Sequence, residues 1–155
     1  WSFVLIGSSK LGDNDNINSY AYRATEKFKT IGSQAKFYGF KDHDFVQEKM
    51  KNGSIIIIPS LWEEPFGLVA AEAMSNGLAI IASKVGGIPE IVEENGILID
   101  NINHKKLEEA IIDLIKNRDK REMLQKKAWN NFKLTSSRSS KKLDNFRKVI
   151  FQNYF

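Results

Sequence analysis

The chain has 155 residues, no cysteine, an apolar share of 42% and a net charge of +4. A domain of this length buries roughly 70% of its extended-chain surface without covalent staples, and the lack of cysteine excludes disulfides, thiolate nucleophiles and thiolate metal sites. The longest apolar run is far shorter than the about 20 residues a membrane helix needs, so a soluble domain is expected.

The chain opens directly on a strand-like segment, residues 3–6, which reads as part of a longer protein rather than a leader. Gly7-Ser8-Ser9 ends that strand, a polar loop runs through Asn16, and a helix is expected from about 17 to 31. Residues 35–38 form a second strand closed by Gly39. Asp42 or Asp44 can cap a helix reaching about Lys51, which Asn52-Gly53 stops. The run Ile55-Ile56-Ile57-Ile58 is a buried strand, a loop bracketed by Pro59 and Pro65 follows, and an Ala-rich helix spans about 67–75 before Asn76-Gly77. A strand at 78–82, the turn Val85-Gly86-Gly87, a short helix from Pro89 to Glu93, a strand at 97–99 and three helical stretches complete the chain. Strands alternating with helices predict an α/β fold with a parallel, doubly wound sheet, in which ligands bind beyond the carboxyl ends of the strands. Residues 116–148 carry twelve basic and three acidic side chains, a net +9, so the remainder is net acidic.

The chemistry concentrates between Pro59 and Met74. Glu64 and Glu72 stand eight residues apart across a strand-to-helix junction, Glu64 at the helix mouth and Glu72 deeper. If Gly67 opens the helix, the amides of Phe66, Gly67 and Leu68 lack intrahelical acceptors and, with the helix dipole, favour a polar or anionic ligand.

In order and spacing, these features resemble the donor-binding domain of the retaining GT-B glycosyltransferases of group 1, or family 4. The matching pieces are Val4-Leu5-Ile6-Gly7, Phe37-Tyr38-Gly39-Phe40, Ile58-Pro59-Ser60, the Glu64–Glu72 pair, the segment from Glu72 to Ala79, and Val85-Gly86-Gly87-Ile88-Pro89-Glu90-Ile91-Val92. The wording Trp62-Glu63-Glu64-Pro65-Phe66-Gly67 is similar to transferases that build lipopolysaccharide cores and surface polysaccharide. The resemblance implies a Rossmann-like core over about 1–130, a closing helix at about 135–155, and a single nucleotide-sugar-binding domain cut from a two-domain enzyme. It further implies that Glu64 faces the donor sugar as the catalytic carboxylate. Phe66, Gly67 and Leu68 would offer amides to sugar hydroxyls and phosphate, and Glu72 would accept from the two ribose hydroxyls. Phe40 would border the nucleobase and Gly7 bring a loop close to the pyrophosphate. The donor would be a nucleoside diphosphate sugar, UDP-linked by default and hexose-type, with no separate cofactor and no metal. The implied location is cytoplasmic, at the inner face of the membrane.

The family's phosphate-neutralising arginine and lysine would come from a segment preceding residue 1, and so would the acceptor domain; the piece alone is expected to be inactive. Lys10 and Lys84 are the nearest basic candidates. Asp13-Asn14-Asp15 resembles a metal-binding D-x-D triplet but reads as a turn. His43 and His104 read as surface groups, Trp62 as packing, and Glu63 as exposed, being only seven residues from Glu72. Gly86-Gly87 reads equally as an anion-binding turn or a plain connection. Leu143, Phe146, Ile150, Phe151 and Tyr154 make an apolar stripe beside Lys141, Lys142, Arg147 and Lys148. That helix has the chemistry to touch an anionic membrane or to pair two copies, but packing is the expectation. Two alternatives compete with this reading: a nucleotide-sugar epimerase of related fold, for which the histidines are poorly placed, and a receiver-like or basic nucleic-acid-binding module. The central strand ends in Pro59-Ser60 rather than a receiver's Asp, and no interleaved aromatics accompany the basic tail, so no nucleic-acid partner is expected.

Overall fold

The computed structural model of the chain describes residues 1–7, 20–135, 137, 140, 141, 143–145, 147 and 148. The chain divides into two compact units, 1–49 and 50–155. In the first, β1 (Phe3–Leu5) pairs in parallel with β2 (Ala35–Phe37), joined through α1 (Tyr20–Lys29) and a single 3-10 turn at Gly32–Gln34. The parallel pairing requires such a crossover. Asp42, rather than Asp44, caps α2 (His43–Lys51): its carboxylate accepts from the Phe45 amide at 2.8 Å. Tyr38 and Phe45 meet edge to face at 5.0 Å, with the Lys49 ammonium 4.8 Å from the Phe45 ring.

The second unit is built on a three-stranded parallel sheet in the order β3 (Ile55–Ile58), β4 (Ala79–Ser83), β5 (Gly96–Ile99). The α/β class with parallel strands holds, with the ladder β1-β2 in the first unit and β3-β4-β5 in the second. Every residue of β4 is buried, as a central parallel strand covered on both faces must be. Side chains alternate across it. Ala79 and Ile81 join Ile99, Leu114 of α5 (His104–Lys116) and Leu124 of α6 (Arg118–Asn131) in one core cluster. Ile80 lies on the other face, beside Gly96, where a Cβ would fall 2.7 Å from Val92 Cγ1 and 3.1 Å from Ile80 Cβ. That close approach explains a glycine at the start of β5.

Between these strands lie α3 (Leu68–Ser75) and α4 (Ile88–Val92), each within two residues of its expected bounds. Ala70, Ala71, Ala73 and Met74 are buried, and the three alanines let α3 pack closely without loss of side-chain entropy. Its end is closed by Gly77 at φ +66°, whose amide donates to Met74, while Leu78 donates to Ala73. Asn103 and Asn117 cap α5 and α6 by accepting from Lys106 and Lys120, each at 3.0 Å. Among the described residues no helix is long and apolar enough to cross a membrane. Lys10, the D-x-D triplet and most of the apolar stripe of the last helix (Phe146, Ile150, Phe151, Tyr154) lie outside the described residues.

Candidate functional site

The helix carrying Glu72 begins where the sequence required it. Gly67 stands at the N-cap of α3 in a left-handed conformation, φ +83° and ψ +50°, and provides no side-chain cap. Its carbonyl accepts from Ala70 and Ala71 at 3.0 and 3.2 Å. Among the described residues, the amides of Phe66, Gly67 and Leu68 have no backbone acceptor. Donors left open in this way, at the positive end of a helix dipole, suit an anion or a polyhydroxylated ligand. Gly67 itself is buried, and a Cβ there would come within 3.2 Å of Ile88 Cγ1, so conformation and space both favour glycine.

Glu64 precedes that cap by three residues and is half-buried. Among the described residues its carboxylate has neither a hydrogen-bond nor an ion-pair partner. A partly desolvated carboxylate without a partner is uncommon unless a ligand completes it. Glu72 is half-buried too, one turn beyond Leu68 and roughly 7.5 Å along the axis from Gly67. It shares a helix face with the exposed Leu68 and Val69, while the alanines bury the opposite face. Its carbonyl accepts from Ser75 Oγ and Asn76 Nδ2, both at 2.8 Å, which ties down the end of the helix.

The loop of residues 59–67 rests on the turn at Gly86-Gly87. The Gly87 amide donates to the Glu64 carbonyl at 2.7 Å, and the Gly86 amide donates to Glu63 Oε2 at 2.6 Å. A Cβ on Gly86 would lie 2.1 Å from the Glu64 carbonyl oxygen, and one on Gly87 would lie 2.7 Å from the Pro65 oxygen. Both amides of the turn are thus occupied within the protein, so the connection reading of this turn is favoured over anion binding. Glu63 is exposed as expected, but its bond to Gly86, across 23 residues of sequence, carries no local sequence signal. Trp62, expected to pack, is 60% exposed. The Lys84 ammonium stands 3.5 Å from Asp100.

In the first unit, Gly7 and Phe40 are brought together. Gly7, at φ +143°, donates its amide to Gly39 at 2.9 Å, and Tyr38 donates to Leu5 at 3.0 Å, so the ends of β1 and β2 are locked side by side. Among the described residues, its chain neighbours aside, no atom lies within 4 Å of a Cβ built on Gly7. Phe40 follows Gly39 (φ +65°) and is 79% exposed. His43 and His104 are exposed at helix starts. Among the described residues no three His, Asp or Glu side chains converge on a cation site. Two surface depressions of about 500 Å³ lie away from Glu64 and Glu72, one along α6 at Met123 and Lys127, the other at Leu98, Lys106 and Asp113.

Comparison with known proteins places the arrangement in context. The sequence model of a family described as "Glycosyl transferases group 1" matches residues 1–131. Spore coat protein SA of Bacillus subtilis is 36% identical over 130 residues, covering 79% of this chain and 33% of that protein. The lipopolysaccharide 1,2-N-acetylglucosaminetransferase of Salmonella typhimurium is 33% identical over 89 residues, 57% of this chain and 23% of that enzyme. Among solved structures, Anabaena Alr3699/HepE in complex with UDP-glucose superposes with a TM-score of 0.69 at 26% identity, covering 83% of this chain and 35% of that one. The chain therefore spans about a third of the length of the Bacillus and Anabaena proteins.

Proposed function

We infer that this chain, which belongs to the group 1 glycosyl transferases, is the nucleotide-sugar-binding part of a two-domain GT-B enzyme that transfers a hexose-type sugar with retention at the anomeric carbon. The observation that carries this reading is the junction at Gly67. Among the described residues, a half-buried carboxylate without a partner, Glu64, stands beside three amides without a backbone acceptor at the mouth of a helix whose next half-buried acid is Glu72. Each group has a role that suits its chemistry. Glu72 offers two acceptor oxygens to the paired hydroxyls of a ribose, contacts of about 1.5–3 kcal/mol each before desolvation. The amides of Phe66, Gly67 and Leu68 stabilise charge that develops on the departing phosphate oxygen, without a covalent enzyme intermediate. Glu64 faces the sugar. Anabaena HepE was solved with UDP-glucose, which supports a UDP-linked donor. The Salmonella relative supports an acceptor in lipopolysaccharide or surface-polysaccharide synthesis. The acceptor site and the basic pair that neutralises the donor phosphates belong to the rest of the enzyme, which works in the cytoplasm.

Calorimetric titration of the full protein with UDP-glucose tests the assignment. Glu72→Ala is expected to weaken binding at least about tenfold, the equivalent of one such contact, while its thermal unfolding stays close to wild type. Unchanged affinity in the variant would remove the ribose role from Glu72 and with it the proposed donor site.

A further inference from the structure

We propose that Glu63, adjacent to the carboxylate assigned to the donor sugar, is a positioning residue. It clamps the 59–67 loop onto the Gly86-Gly87 turn and thereby sets the place of Glu64 and of the amides at Phe66, Gly67 and Leu68. This rests on the donor-site reading above and adds to it a residue that touches no ligand.

The loop is nine residues without regular structure, fixed at its ends by β3 and α3. Between those ends two successive residues are held by two successive amides: Gly86 N–H donates to Glu63 Oε2 at 2.6 Å and Gly87 N–H to the Glu64 carbonyl at 2.7 Å. A carboxylate accepting a backbone N–H makes the stronger, charge-assisted kind of bond. The contact is backbone on backbone. A Cβ on Gly86 would sit 2.1, 2.5 and 2.8 Å from the O, N and C atoms of Glu64, and one on Gly87 would sit 2.9 Å from Phe66 Cα. No side chain fits between loop and turn, so any drift of the loop changes the position of Glu64 directly. Glu72 stands apart from this device, because α3 is seated by its own buried alanines and Met74. The clamp therefore governs the sugar and phosphate end of the site and leaves the pentose end alone.

The test uses Glu63→Ala, Glu63→Asp and Glu63→Gln in the full protein. Glutamine keeps an acceptor oxygen at the same reach, aspartate is one methylene too short, and alanine has no acceptor. Amide hydrogen exchange at Gly86 is expected to quicken about tenfold in the Ala and Asp variants and clearly less in Gln, whose neutral oxygen keeps the bond without its charge assistance. In calorimetry, UDP-glucose affinity is expected to fall about tenfold in Ala and Asp and to recover in Gln, with UMP affinity unchanged within about twofold throughout. Equal losses for UMP and UDP-glucose, or no loss in the Ala variant, overturn the positioning role while leaving the donor site standing. Wild-type protein that binds neither nucleotide overturns the donor site and this inference together, and the Gly86 exchange rates still report whether the bond itself forms.

Discussion

Alanine at position 86 combines two penalties that neighbouring glycines separate. Gly86 has φ +53°, and a methyl there would lie 2.1 Å from the Glu64 carbonyl oxygen, a distance no real contact reaches. The left-handed backbone costs an L-residue about 1–2 kcal/mol. Forcing the loop away adds a clash of the overpacking kind, about 1–3 kcal/mol, so Gly86→Ala should lose about 2–5 kcal/mol. Gly77→Ala isolates the conformational part: φ is +66°, but the nearest atom to its Cβ is Trp129 Cβ at 3.6 Å, and the expected loss is about 1–2 kcal/mol. Gly87→Ala isolates the steric part, because φ is an ordinary −79° while the Pro65 oxygen would stand 2.7 Å away; about 1–3 kcal/mol is expected. Equilibrium urea unfolding of the three variants, followed by circular dichroism, gives the ranking through midpoints at unchanged slope. A Gly86→Ala protein no less stable than Gly77→Ala would refute the close approach of loop and turn.

Leu114→Ala, at a fully buried position in the core cluster beneath β4, should cost about 2–5 kcal/mol in the same assay, whereas Ile112→Ala, on the exposed side of α5, should cost less than 1.5 kcal/mol, roughly that of a modest surface truncation. Asn117→Ala should cost about 0.5–2 kcal/mol, because Asn117 caps the start of α6 while its own amide donates to Asp113 at the end of α5; thermal melting checks this. Glu64→Gln should leave stability unchanged, since that carboxylate has no partner among the described residues, yet lower donor turnover in the full enzyme at least about tenfold; a rise in KM alone, with kcat intact, would assign Glu64 to binding rather than to the reacting sugar.

The elements from 55 to 99 were legible because each carries a local signal. Four consecutive isoleucines mark β3, Asn76-Gly77 ends α3, and Pro89 falls in the first turn of α4. The cap role of Gly67 was legible for the same reason, since a glycine between a proline-bracketed loop and an apolar helix has few other uses. What the sequence hid depends on distant partners. Glu63 looked like surplus charge because its acceptor role requires Gly86, brought beside it only when β3 and β4 pair. The Gly86-Gly87 turn left two readings open, and the choice came from its amides being taken by Glu63 and Glu64. Asp42 and Asp44 were equal as caps until the Phe45 amide selected Asp42. Trp62 fell on the wrong side of a general tendency: large aromatics usually bury, but this one stands exposed on the loop that precedes the helix mouth. The strand order β3-β4-β5 also lay beyond periodicity, which reports which residues form strands but not which strands pair.

A crystal structure of the full protein with UDP-glucose addresses the donor site most directly. The Glu72 carboxylate is expected within hydrogen-bonding distance of both pentose hydroxyls, with phosphate or sugar oxygens on the amides of Phe66, Gly67 and Leu68. A nucleotide bound with its pentose away from Glu72, or with those three amides still unoccupied, would contradict the assignment.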